Sequence, residues 1–154
     1  MLTTHKISAD FYDDNFELIA IHSSLEDYAM AYAINSTCGL HLKRMNNDLQ
    51  INESHTFSVF DWEDDINDMY WTLISNTCVV EEVVPSEGFF ENRTSLRTFH
   101  LMEERKEVDF FLKIDMSDEP LIDEKSKAIN RIPKVITAYP IETKTLKSKR
   151  NLIF

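Results

Sequence analysis

Glycine is nearly absent from this chain: 154 residues include only Gly39 and Gly88. That excludes the glycine-rich loops that cradle phosphates, because GxGxxG and GxxxxGK[ST] both need closely spaced glycines. Cysteine is equally scarce. Cys38 and Cys78 are too few for a disulfide framework, and no CxxC pair occurs. No apolar run approaches the roughly 18 residues that span a bilayer, and the opening MLTTHKISADFYDD lacks the basic-then-apolar build of a signal peptide. These absences predict a cytoplasmic protein with reduced thiols and no membrane association. The Asn-x-Ser/Thr triplets at Asn35, Asn52 and Asn92 are then chance matches. Bases are outnumbered 16 to 27, for a formal charge of −11. An acidic surface repels phosphate backbones and disfavours nucleic acid as a partner.

What the chain does have is apolar bulk: 43% hydrophobic residues, ten of them phenylalanine. At this length a single domain covering residues 1–154 can bury about 68–70% of its unfolded surface without a metal or disulfide. The bases are unevenly placed. From Arg131 to Phe154 six Lys or Arg face one acid, Glu142, whereas the remainder holds ten bases and 26 acids. An acidic body with a basic tail is the main asymmetry.

The periodicity predicts a strand at NFELIAIHS, apolar on both faces. A helix follows at SLEDYAMAYAINSTC, capped by Ser23 or Ser24, with Leu25, Tyr28, Ala29, Tyr32 and Ala33 as its inner stripe and Gly39 as its stop. LHLKRM and HTFSVFDWE read as strands. EDDIND is a polar turn, and MYWTLISNTCVV a long strand that completes a hairpin. Residues 81–97 read as an irregular loop. LRTFHLM and VDFFLKID read as an antiparallel pair joined by EERKE. A second helix is capped by Asp118, accepts Pro120 in its first turn and turns Leu121, Ile122, Lys125, Ile129 and Ile132 inward. Pro133 ends it, and KVITAYPIE is the last strand. Helices near both ends with strands between them predict an α+β two-layer sandwich, a mainly antiparallel sheet with both helices on one face.

MEERKEVDF, Met102 to Phe110, resembles the bacterial family named IPExxxVDY after its motif. Glu104, Val108 and Asp109 coincide with the motif; Met102, Glu103 and Phe110 stand where it has Ile, Pro and Tyr. FELIAIHSSLEDYAMAYAIN, LISN, TAYPI and LKSKRNLIF extend the resemblance over most of the chain. It implies a bacterial cytoplasmic protein and brings no catalytic residue, cofactor or substrate with it.

Candidate chemistry is sparse. Asp61, Glu63, Asp64, Asp65 and Asp68 lack the spacing and glycine of a calcium loop, and a solvated hairpin turn accounts for them. His5, His22, His41, His55 and His100 show no i, i+4 ligand spacing, although His41 and His55 occupy strand positions that could meet across the sheet. Glu104 and Asp109 form a conceivable acid–base pair, against the simpler reading that both belong to a turn. No catalytic residue, metal or cofactor is assigned. The tail, residues 142–154, joins Lys147, Lys149 and Arg150 to Leu152, Ile153 and Phe154. It either docks on its own domain or anchors a protein partner, a second copy included. The expectation is a non-catalytic protein-interaction module. Its alternative is an enzyme or small-ligand binder with a pocket formed by Phe60, Trp62, Tyr70 and Trp71.

Overall fold

A computed structural model describes residues 16–85, 87–88, 92–115 and 119–153. The expected cap Asp118, the terminal Phe154 and the N-terminal lead lie outside them. The strands are β1 (Phe16–Ser23), β2 (Lys43–Arg44), β3 (Leu49–Gln50), β4 (Thr56–Phe57), β5 (Val59–Asp64), β6 (Met69–Ser75), β7 (Thr77–Val84), β8 (Arg93–His100), β9 (Phe110–Asp115) and β10 (Val135–Ile141). Helix α1 (Asp27–Cys38) follows β1, and α2 (Glu119–Asn130) follows β9. Short 3-10 turns occupy Glu103–Arg105, Thr143–Thr145 and Lys149–Leu152.

Six strands form an antiparallel sheet in the order β10-β1-β9-β6-β5-β2. The chain is thus α+β with a mainly antiparallel sheet. Alternation sorts its side chains. Ile19, Ile21, Trp71, Leu73, Leu112 and Ile114 join Met30, Ile34, Ile122 and Ile129 in a core beneath both helices. Leu18, Ala20, Val59, Ile74 and Phe111 point the other way, into a second core closed by Leu101, Met102, Val108, Leu146 and Leu152. Burial on both faces explains why β1 and β9 read as almost continuous apolar runs.

Several expected elements change. Helix α1 is capped at Glu26, without a side-chain hydrogen bond. The Ser23 hydroxyl instead donates to Lys134 O at 2.9 Å and accepts from Leu25 N–H at 3.2 Å. Its inner face is Met30, Ala31, Ile34 and Cys38, while Tyr28 and Tyr32 are exposed. DYAMAYAINSTC carries apolar residues around most of its circumference, so spacing alone does not choose a face, and the tyrosine hydroxyls favour the wet side. Gly39 does end the helix, at φ 68°.

HTFSVFDWE divides at Ser58, with β4 pairing β3 and β5 entering the main sheet. LHLKRM contributes only Lys43 and Arg44, because the Asn35 carboxamide takes both backbone groups of Leu42, at 2.8 and 3.0 Å. The largest correction concerns residues 77–100. MYWTLISNTCVV breaks at Asn76, and the expected loop over 81–97 holds most of a two-stranded sheet in which β7 pairs β8 from Thr77↔His100 to Val84↔Arg93. LRTFHLM therefore does not pair with VDFFLKID; β9 lies between β1 and β6.

Candidate functional site

Asn76 sits at the break between β6 and β7, fully buried. A buried amide must find partners for its donors and acceptor, and Asn76 finds all of them in the segment that carries the family-like motif. Its Oδ1 accepts Met102 N–H at 2.8 Å, and its Nδ2 donates to Arg105 O at 2.9 Å and Val108 O at 2.8 Å. Its backbone N–H donates to Asp109 O, and its carbonyl accepts Leu101 N–H, each at 2.9 Å. Nothing in the periodicity singles out Asn76 within the polar run Ser75, Asn76 and Thr77; its place at the end of LISN, one stretch of the family resemblance, is the signal.

The motif residues each tie down something different. Met102 and Val108 fill the core on the face away from the helices. Phe110 enters the helix-side core and is paired to Ile21 and Ser75. The Asp109 carboxylate accepts Ser23 N–H at 2.9 Å where β1 ends. Glu104 reaches the tail, accepting Ser148 N–H at 2.7 Å and Ser148 O–H at 2.6 Å. Burial acts to raise the Glu104 carboxyl, but hydrogen bonds from Ser148 and from the Glu104 and Lys147 backbones together outweigh it and hold the group below its ordinary value. The two carboxylates have separate structural partners, and the segment joins strands of different sheets instead of turning a hairpin.

The tail packs on the helix-free face. Leu152 is 0% exposed and Leu146 7%, and Ile153 packs against the same core. Asn151 Nδ2 donates to Leu101 O at 2.8 Å. The Lys149 and Lys113 ammonium groups lie 5.6 and 5.0 Å from the Phe16 ring centre, placed for cation–π attraction. Lys147 and Arg150 are exposed.

The aromatics of the expected pocket divide between the sheet faces. Trp62 pairs with Trp71 across the β5–β6 hairpin, and both line a cleft of about 390 Å³ with Leu40, His41, Leu121 and Lys125. The Trp71 indole N–H is buried without a hydrogen-bond partner. Phe60 belongs to the core beside them. Tyr70 is on the opposite face, donating its hydroxyl hydrogen to Asp61. Burial first, and then this bond, push the Tyr70 hydroxyl up to about 12. In the acidic hairpin Asp64 is itself buried and holds the turn through Asn67 N–H at 3.3 Å and Nδ2 at 2.7 Å. Among the described residues no group of three His, Cys, Asp or Glu could hold a metal ion. His41 rests edge-on against Trp62 and His55 lies tilted over Phe99, so the two do not meet.

The ribbon of β7 and β8 is the most open element. Paired residues share a face, so Val79, Glu81, Val83, Thr94, Leu96 and Thr98 lie on one side. Val79, Val83 and Leu96 are 61, 63 and 73% exposed, and Leu96 lies diagonally between the two valines. The other side is anchored at its base, where Cys78, Val80 and Phe99 pack on the core. Both outer edges lack a paired strand among the described residues. At about 3.4 Å per residue the ladder runs about 27 Å.

Among the described residues, no helix is long and apolar enough to cross a membrane. No family model, no curated protein and no solved structure matches the chain.

Proposed function

We propose that this chain is a cytoplasmic, non-catalytic protein-interaction module of the IPExxxVDY kind, and that its contact element is the β7–β8 ribbon. The observation that carries this reading is the exposed Val79–Leu96–Val83 face on a ribbon whose two edges are unpaired among the described residues. Isolated two-stranded ribbons are marginal in water, and unpaired edges recruit strands from other chains. The tail is a weaker candidate, since Leu152 is already enclosed by its own domain. Glu104 and Asp109 act as anchors for Ser148 and Ser23. The test compares immobilised wild-type chain with a Val83→Lys, Leu96→Lys double variant of unchanged circular dichroism. Stoichiometric retention of a partner by the wild type alone is expected. Equal retention by both forms, or by neither, overturns the reading.

A second reading, a small-ligand site, is favoured by the unpartnered Trp71 N–H beside the cleft. Trp62 and Trp71 are the only tryptophans, so their fluorescence reports occupancy directly. A panel of small aromatic carboxylates that leaves the emission unchanged eliminates this reading for that ligand class.

A further inference from the structure

We infer that the tail is a strap that sets the angle of the ribbon: docked, it locks through Asn151 the root from which β7 and β8 leave the body; undocked, it frees the ribbon to swing as a unit. This rests on the interaction-module reading and adds its regulation, because the strap decides how the contact face is presented.

The ribbon joins the body at two roots, Asn76 before β7 and Leu101 after β8. The roots are tied to each other, with Leu101 N–H donating to Asn76 O at 2.9 Å. The peptide unit between Leu101 and Met102 has one donor and one acceptor to place. Its N–H goes to Asn76 Oδ1 at 2.8 Å, and its carbonyl accepts from Asn151 Nδ2 at 2.8 Å. One clamp on this unit therefore comes from the other root. The second comes from the tail, 50 positions along the chain. Bonds between the two roots leave rotation about the line that joins them free, and a further point of attachment is needed to stop it. Asn151 supplies one. On the inner side Cys78, Val80 and Phe99 rest on the core that Leu101, Met102, Leu146 and Leu152 share, so release of the tail loosens that support as well.

The tail is built to detach. Its 3-10 turns, Thr143–Thr145 and Lys149–Leu152, are three and four residues long, too short to persist by themselves. It stays through a few separable contacts: Ser148 with Glu104 at 2.6 and 2.7 Å, Asn151 with Leu101, and the buried Leu146 and Leu152. The ribbon amplifies what happens at its root. A rotation of about 10° there moves the far end of a ladder about 27 Å long by about 5 Å. Coupling of this kind is reciprocal, so a partner that requires the swung ribbon loosens the tail by the same factor.

Spin labels at Thr94→Cys and Ile136→Cys read the angle. Both positions are exposed, the first near the far end of the ribbon and the second on β10 of the main sheet. The native thiols of Cys38 and Cys78 are buried. With the tail intact, pulsed dipolar spectroscopy should give one narrow distance distribution. Asn151→Ala removes the clamp and should broaden it. Ser148→Asp sets a carboxylate against Glu104, releases the tail at that attachment and should do the same. In both variants the amide hydrogens of Leu101 and Met102 should exchange at least about fivefold faster, the size of one net hydrogen bond, while those of β1 and β9 keep their rates. Either variant leaving both readouts unchanged, a distribution already broad with the tail intact, or exchange that quickens in β1 and β9 as much as at the root overturns the inference. If both readouts stay unchanged while the double lysine variant still loses its captured partner, the strap alone fails. If that variant loses nothing, the module reading fails, and the strap's role in presentation fails with it.

Discussion

Asn130, on the last turn of α2, hydrogen-bonds both backbone groups of Ala138 on β10, through Oδ1 at 2.8 Å and Nδ2 at 2.6 Å. The carboxamide has the donor and acceptor of a peptide group, so it stands where a neighbouring strand would pair. Asn130→Ala removes it. The expected result is a loss of about 1–2 kcal/mol in urea unfolding and concentration-dependent association that wild-type β10 does not support. An Asn130→Ala protein with unchanged stability and oligomeric state contradicts this role.

Asn76→Ala should be far more damaging. It strands Met102 N–H and leaves the Val108 and Arg105 carbonyls without their amide donor, at a buried position. Unsatisfied buried groups cost about 1–3 kcal/mol each, so a total of about 3–5 kcal/mol is expected from chemical denaturation. Asn76→Asp should be at least as severe, because a carboxylate cannot donate to those carbonyls. A cost below about 1 kcal/mol would remove Asn76 from its organising place.

The tail's attachment should depend on pH through Glu104. Its carboxyl is held below the ordinary value in the folded chain. Its contribution is therefore full above the unfolded value and is lost as pH falls through the lower, folded one. The stability difference between wild type and Glu104→Gln should be present at pH 7 and should shrink as the solution is acidified below about 4.5. A difference that is constant with pH refutes the assignment. Leu152→Ala, which empties a fully buried site, should cost about 2–4 kcal/mol at any pH.

Tyr70 should ionise late. Its hydroxyl is raised to about 12, so the folded state keeps a proton that the unfolded state loses near 10. Stability is thus lost as pH rises between those values. Absorbance at 295 nm should show one of the five tyrosines ionising late. Asp61→Asn should bring it down, because the carboxylate's charge goes with it; a wild-type titration with no late component that Asp61→Asn removes would be the contrary result.

The α+β class, the antiparallel sheet, the doubly buried β1, the Gly39 stop and the inward stripe of α2 are all legible in the order of residues. Each depends on local periodicity or on one residue's backbone freedom, which are properties of neighbours in the chain. Tertiary structure decided the rest. Which way α1 turned was ambiguous because DYAMAYAINSTC is apolar nearly all round, and packing against the sheet chose Ile34 over Tyr32. The β7–β8 ribbon was hidden because its strands mix valines with Glu81, Glu82, Arg93 and Arg97, a composition that reads as solvated loop until the ladder pairs it. The motif segment showed its residues but not their partners. Glu104 meets Ser148 from 44 positions away and Asp109 meets Ser23 from 86, and contacts of such separation exist only once the sheet order is set.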